Sequence, residues 1–157
     1  MTVGSPDINS ASWLLCRAGA RLCALPLENV IETMRLLPIE PVSGAPRSVL
    51  GLCPIRGLPV PVVDLQSLLA EPESPLQRMV TLKVGSGTVA IAVESVLGVR
   101  SIGADESSRL PPLLREAAGD IVSAIGILDS EFLLFLNSAR IAPLSLLGEV
   151  GPDEAAS

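Results

Sequence analysis

A chain of 157 residues is the size of one ordinary domain and long enough to bury a core without disulfides. It has no histidine and no tyrosine, which removes imidazole ligands, serine–histidine dyads and most neutral-pH proton shuttles, so enzyme chemistry is disfavoured. Eleven basic against 17 acidic residues leave a net charge of -6, the wrong sign for a protein that lives on phosphate backbones, and no nucleic-acid partner is expected.

The opening MTVGSPDINSASW has no basic stretch followed by a long apolar one, so no signal peptide is read there. Later apolar runs such as VAIAV and FLLFL fall far short of the roughly 20 residues a membrane span requires, and a cytoplasmic protein without membrane insertion is expected. Cys16, Cys23 and Cys53 form no CxxC pair; three is an odd count, better suited to reduced, packed thiols than to a disulfide framework.

In chain order, SWLLCRA and RLCALP flank Gly19 and Ala20. A two-residue turn there pairs Arg17 with Leu22 and Cys16 with Cys23, placing both thiols on one face. A disulfide across that hairpin is conceivable, but a reducing compartment argues for free thiols. PLENVIETMRLLPIEPV follows as a turn and an extended piece that Pro38 and Pro41 keep from becoming a helix. VLGLCPI and LPVPVVDL then bracket a tight turn at Arg56 and Gly57. Asp64 is placed to N-cap a short helix, LQSLLA, and the polar, proline-bearing segment 71–77 is the best internal joint.

Beyond the joint the chain again reads as strands: RMVTLKV, a GSG turn at 85–87, TVAIAVESVLGVRSI, and DIVSAIGIL with EFLLFLN around a turn at Asp129 and Ser130. GADESSRLPPLLREAAG between them reads as a long surface loop with room for one helical turn. A short helix before Pro143 and a disordered tail close the chain. About ten short strands argue an all-β domain closed into barrels.

Catalytic patterns are scarce. The glycine-containing turns at Ser43–Gly44 and 85–87 lack the spacing and lysine of a phosphate loop and read as hairpin turns. Carboxylates gather only in polar segments such as DESS and PDEAAS, without apolar flanks to raise a pKa. Cys53 has no histidine in the chain to activate it, so it reads as a buried thiol. No cofactor and no metal is expected.

The order VSGAPRSVLGLCPIRGLPVPVVDL, residues 42–65, resembles the signature of the CheW-like family of chemotaxis coupling proteins. On either side, LCALPLENVIETMRL, TVAIAVESVLGVRSI and DSEFLLFLNSARI resemble that family's other strands, so the likeness covers residues 12–148. The resemblance implies two five-stranded SH3-like β-barrels sharing a core, with short helices after the Arg-Gly hairpin and near the C-terminus. It makes residues 12–148 one CheW-like domain of two intertwined barrel subdomains, joined near 71–77, with flexible termini at 1–11 and 149–157.

It also implies a non-enzymatic scaffold that couples the cytoplasmic tip of a chemoreceptor to the regulatory domain of a CheA-type histidine kinase, in membrane-associated arrays that also admit self-association. Carried over by position, Val30, Glu32, Gly51, Arg56, Gly57 and Val99 are its partner-binding residues. To these, the pattern of the motif strand adds Val60 and Val62, which share a face; one face of that strand is needed for the core, and the other could line an apolar groove for a receptor helix.

Gly57 allows positive φ in a tight turn and holds Arg56 at a hairpin tip, where its fork can reach a carboxylate. Glu32 is the expected partner, in an ion pair that fixes the turn's shape more than it stabilises the fold. Three departures from the family stand out: Pro54 replaces the usual Asn before the turn, Ala124 a glycine, and Glu94 an aspartate. Pro54 lacks an N–H, so its strand should lose a ladder bond or lie at an edge. These departures motivate an alternative, a diverged paralogue that binds receptor but has weakened kinase contact and limits or tunes array growth.

Overall fold

The computed structural model describes residues 10–103, 106–109 and 120–141. Its strands are β1 (Ser10–Ala18), β2 (Arg21–Pro26), β3 (Val30–Arg35), β4 (Val49–Ile55), β5 (Leu58–Asp64), β6 (Arg78–Val84), β7 (Gly87–Val93), β8 (Ser95–Gly103), β9 (Ser107–Arg109), β10 (Val122–Leu128) and β11 (Glu131–Leu136). The only α-helix among the described residues, α1 (Leu65–Leu68), begins where Asp64 caps it, the carboxylate accepting from the N–H groups of Gln66 and Ser67. A 3-10 turn, Ser138–Arg140, is capped in the same way by Asn137 before the chain reaches Pro143.

The strands form two sheets, ordered β8-β1-β2-β11-β10-β9 and β3-β6-β7-β5-β4. This is the expected all-β architecture. Its one addition is β9, inside the stretch read as loop, which pairs with Ala124–Gly126 at the edge of the larger sheet. Residues 104–105 and 110–119, most of the stretch in which a helical turn is expected, lie outside the described residues, as do 1–9 and 142–157 at the termini. Ser10 and Ala11, read as flexible, already belong to β1.

The first hairpin has the expected register, Cys16 opposite Cys23 and Arg17 opposite Leu22. All three cysteines are buried free thiols. The segment 71–77 connects α1 to β6, and β6 and β7 lie in the same sheet as β3, β4 and β5. The chain passes between sheets elsewhere, across 27–29 and at Glu94.

Each sheet curls back on itself. In the smaller sheet β3 and β4 are the terminal strands, yet the β4–β5 tip reaches β3 through an Arg56–Glu32 contact. In the larger one Asp129, at the β10–β11 tip, lies 3.8 Å from Arg100 on β8. Cys53, Val60, Val62, Met79, Ala90 and Ala92 fill the interior of the smaller barrel. Leu15, Leu22, Ala24, Leu133 and Phe135 fill the larger, where Trp13 packs edge-on against Phe135 with ring centroids 4.9 Å apart. Between the barrels lies a shared core that takes Leu14, Cys16 and Leu25 from one sheet and Val63, Leu82 and Ile91 from the other. Strands such as LPVPVVD therefore read as continuous apolar runs, because both of their faces are covered.

Candidate interaction site

The site is built on the β4–β5 hairpin. Arg56 and Gly57 form its two-residue loop with φ of 53° and 80°, the doubly positive geometry that matches the twist of the flanking strands. Gly57 was expected to need this conformation; Arg56 adopts it too. On β3 the register shifts between Val30 and Glu32, leaving Ile31 as the extra residue of a bulge. The buried Thr81 hydroxyl pins that bulge, accepting from the Glu32 N–H at 3.2 Å and donating to the Glu32 carbonyl at 3.3 Å.

Arg56 meets Glu32 in a two-point clamp, Nη2 to Oε1 at 2.7 Å and Nε to Oε2 at 3.0 Å. The hydrogen bonds from Arg56 hold the Glu32 carboxyl below its ordinary value, and those same bonds raise the guanidinium. The pair is presented outward: the Arg56 side chain is 76% exposed and that of Glu32 27%. Ile31 beside Glu32 and Leu58 at the foot of the turn are both large exposed apolar residues, which gives a charged clamp with apolar flanks.

Gly51 acts from behind the turn. It is buried, has a φ of 147°, and a Cβ there would lie 2.0 Å from the carbonyl oxygen of Glu40. Glu40 runs along the outer edge of β4, exchanging 2.8 Å hydrogen bonds with Leu52 in both directions. Since Leu52 turns its polar groups outward, Pro54, two residues on, turns its nitrogen outward as well. β4 ends its sheet, as the proline implied, and the missing N–H takes nothing from the β4–β5 ladder.

The remaining site residues are placed differently. Val60 and Val62 share a face, as read, but that face is the barrel interior; they are 3% and 0% exposed, and the opposite face carries Val63 into the shared core. Neither valine can line a groove, which corrects the expectation and has a simple cause: β5 is a central strand sandwiched on both sides. Val30 is half-buried and packs on the shared core. Val99 is 56% exposed but lies on β8, in the other sheet, opposite Leu14 and near Leu97 and Arg100. Of the departures from the family, Glu94 turns inward, accepting from the Ser74 hydroxyl at 3.1 Å.

One feature was not anticipated. Arg17 clamps Glu131 at 2.6 and 2.8 Å, at the foot of the β10–β11 turn. Both residues were visible as strand ends, but no local spacing links positions so far apart in the chain.

Two small barrels with an exposed, clamped turn between apolar flanks are the build of a protein that works by docking. The CheW-like domain family matches residues 12–144, and the chain belongs to it. Protein FrzA of Myxococcus xanthus is 30% identical over 132 residues, covering 80% of this chain and 81% of FrzA. The scaffolding protein TtCheW from Thermoanaerobacter tengcongensis shares the fold, with a TM-score of 0.72 at 17% identity over 81% of this chain and 88% of that one. The chain is thus a coupling adaptor of the chemosensory type and not an enzyme. Among the described residues no helix is long and apolar enough to cross a membrane.

Proposed function

We propose that this adaptor joins the cytoplasmic hairpin of a chemoreceptor to the regulatory domain of a CheA-type histidine kinase, within cytoplasmic receptor arrays. The observation that carries the reading is the Arg56–Glu32 clamp, held rigid by an inverted turn and a pinned bulge and displayed between Ile31 and Leu58. A preorganised charge with apolar flanks suits a protein interface, because little ordering remains to be done on binding. Gly51 and Gly57 shape this surface from within, and Val99 belongs to a second surface on the other barrel.

The alternative, a paralogue with weakened kinase contact, draws on Pro54 and Ala124. Pro54 leaves the turn closed and Arg56 on Glu32, which favours the first reading. Receptor and kinase fragments offered separately to wild-type and Arg56→Glu protein distinguish the two. Coupling requires wild type to capture both and the substitution to weaken one of them about tenfold or more. Capture of receptor alone by wild type would establish the paralogue.

A further inference from the structure

Both barrels are assembled from both halves of the chain. Among the described strands, only the hairpins β1–β2 and β4–β5 pair locally within 10–70, and only β6–β7 and β10–β11, the latter extended by β9, within 78–141. Every other pairing crosses between halves: β1 with β8, β2 with β11, β3 with β6 and β5 with β7. The order β8-β1-β2-β11-β10 corresponds strand for strand to β3-β6-β7-β5-β4. Each half lends its leading hairpin to the barrel made from the other half's later strands.

The correspondence holds in detail. The leading hairpins turn at Gly19 and Gly85, with φ of 63° and 60°. Ile31 and Leu97 are the extra residues of matching bulges, exposed 51% and 52%. The second hairpins have register shifts after Val49 and Val122 and tips of doubly positive φ at Arg56–Gly57 and Asp129–Ser130. Asp64 and Asn137 then cap the helical turn that follows each. Even the sequence runs in step, ALPLENVIE at 24–32 beside AIAVESVLG at 90–98. The chain is thus built as two matching halves that exchange their leading hairpins.

Residues 10–70 alone would hold two hairpins and the lone strand β3, and residues 78–141 one hairpin, the lone strand β8 and a three-stranded piece ended by the three-residue β9; each is a set of fragments without the barrel that covers their apolar faces. We infer that a second copy of this chain can serve as partner by reciprocal exchange, residues 10–70 of each copy closing both barrels with residues 78–141 of the other. All pairings between halves are kept in such a dimer; only the link 71–77 takes a new path, the low-cost route to association open to any chain whose halves complement each other. In the single chain a latch holds that link. Ser74 exchanges hydrogen bonds with the buried Gln66 at 2.8 and 3.0 Å and donates to Glu94, while Glu71 accepts from Arg21 at 2.9 Å. This inference is independent of the receptor and kinase reading.

Two experiments on the full chain test it. Deleting residues 73–76 shortens the link and removes Ser74; the product should carry unchanged strand content by circular dichroism and twice its own chain mass by light scattering. A folded monomer would overturn the inference. Should the deletion prevent folding, Arg17→Glu and Glu131→Arg proteins are refolded separately and as an equimolar mixture. Alone, each opposes like charges at the clamp; in a mixed exchanged dimer both clamps regain opposite charges. Native mass spectrometry should show the mixed dimer in at least about tenfold excess over either homodimer, and a mixture that remains two monomeric species refutes the exchange.

Discussion

Arg56 shows how much one side chain depends on a distant partner. Its place in a two-residue turn follows from Gly57 and the flanking apolar runs, and Glu32 was the expected acid; the left-handed conformation of Arg56 itself was not, since sequence marks only the glycine as needing it. The clamp makes a pH prediction. Glu32 and Glu131 are each held below the ordinary carboxylate value of 4.5 by hydrogen bonds from their arginines. A carboxyl lowered on folding stabilises the protein above its unfolded value, and that contribution is lost as pH falls through the folded one. In urea titrations Glu32→Gln and Glu131→Gln should therefore be modestly less stable than wild type at neutral pH, and the difference should close as pH drops below 4.5. A gap independent of pH would mean that the clamps do not act through charge. The thiols give a second test at this scale. Burial pushes Cys16 up to about 12 and Cys23 well above its ordinary value. Iodoacetamide at neutral pH should leave both unmodified in the native protein and alkylate them in denaturant; rapid native labelling would show that the hairpin opens.

At the scale of the element, the β4–β5 hairpin was almost wholly legible: the turn, the strand ends and the Asp64 cap all rest on local chemistry, namely positive φ, apolar runs and a capping carboxylate. Gly51 was legible as a motif position but not in its reason, because the atom it makes room for belongs to Glu40, brought there only when the chain folds back across the strand. Gly51→Ala should cost at least about 3 kcal/mol in chemical denaturation, since the clash is with backbone that cannot swing away. Gly57→Ala, whose new Cβ meets nothing within 4 Å, should cost only the strain of its positive φ, about 1 kcal/mol. Equal costs would mean that crowding behind β4 is relieved by movement of 36–40.

For the whole molecule the shared core decides cooperativity. Met79 is buried in the smaller barrel and accepts from the Leu37 N–H through its sulfur, whereas Trp13, the single tryptophan, packs in the larger. Since the barrels share Leu25, Val63 and Ile91 and every junction between hairpins crosses the halves, they should unfold together. Met79→Ala should lower stability by about 2–5 kcal/mol and shift the Trp13 fluorescence transition by as much as the circular dichroism transition. Separate shifts would mean two independent barrels.

The sequence by itself determined what rests on neighbouring residues: an all-β chain, its turns and caps, the absence of histidine chemistry and the motif of a coupling adaptor. The tertiary structure alone decided which strands became neighbours, and so which valines are inside. Val60 and Val62 share a face, and nothing in the continuous apolar run says whether that face is open; in the fold the smaller barrel's interior takes it and the shared core takes the other. Arg17 finds Glu131 for the same reason. Local patterning sets conformation and periodicity, whereas burial is set by whatever packs on each face, and here that comes from both halves of the chain.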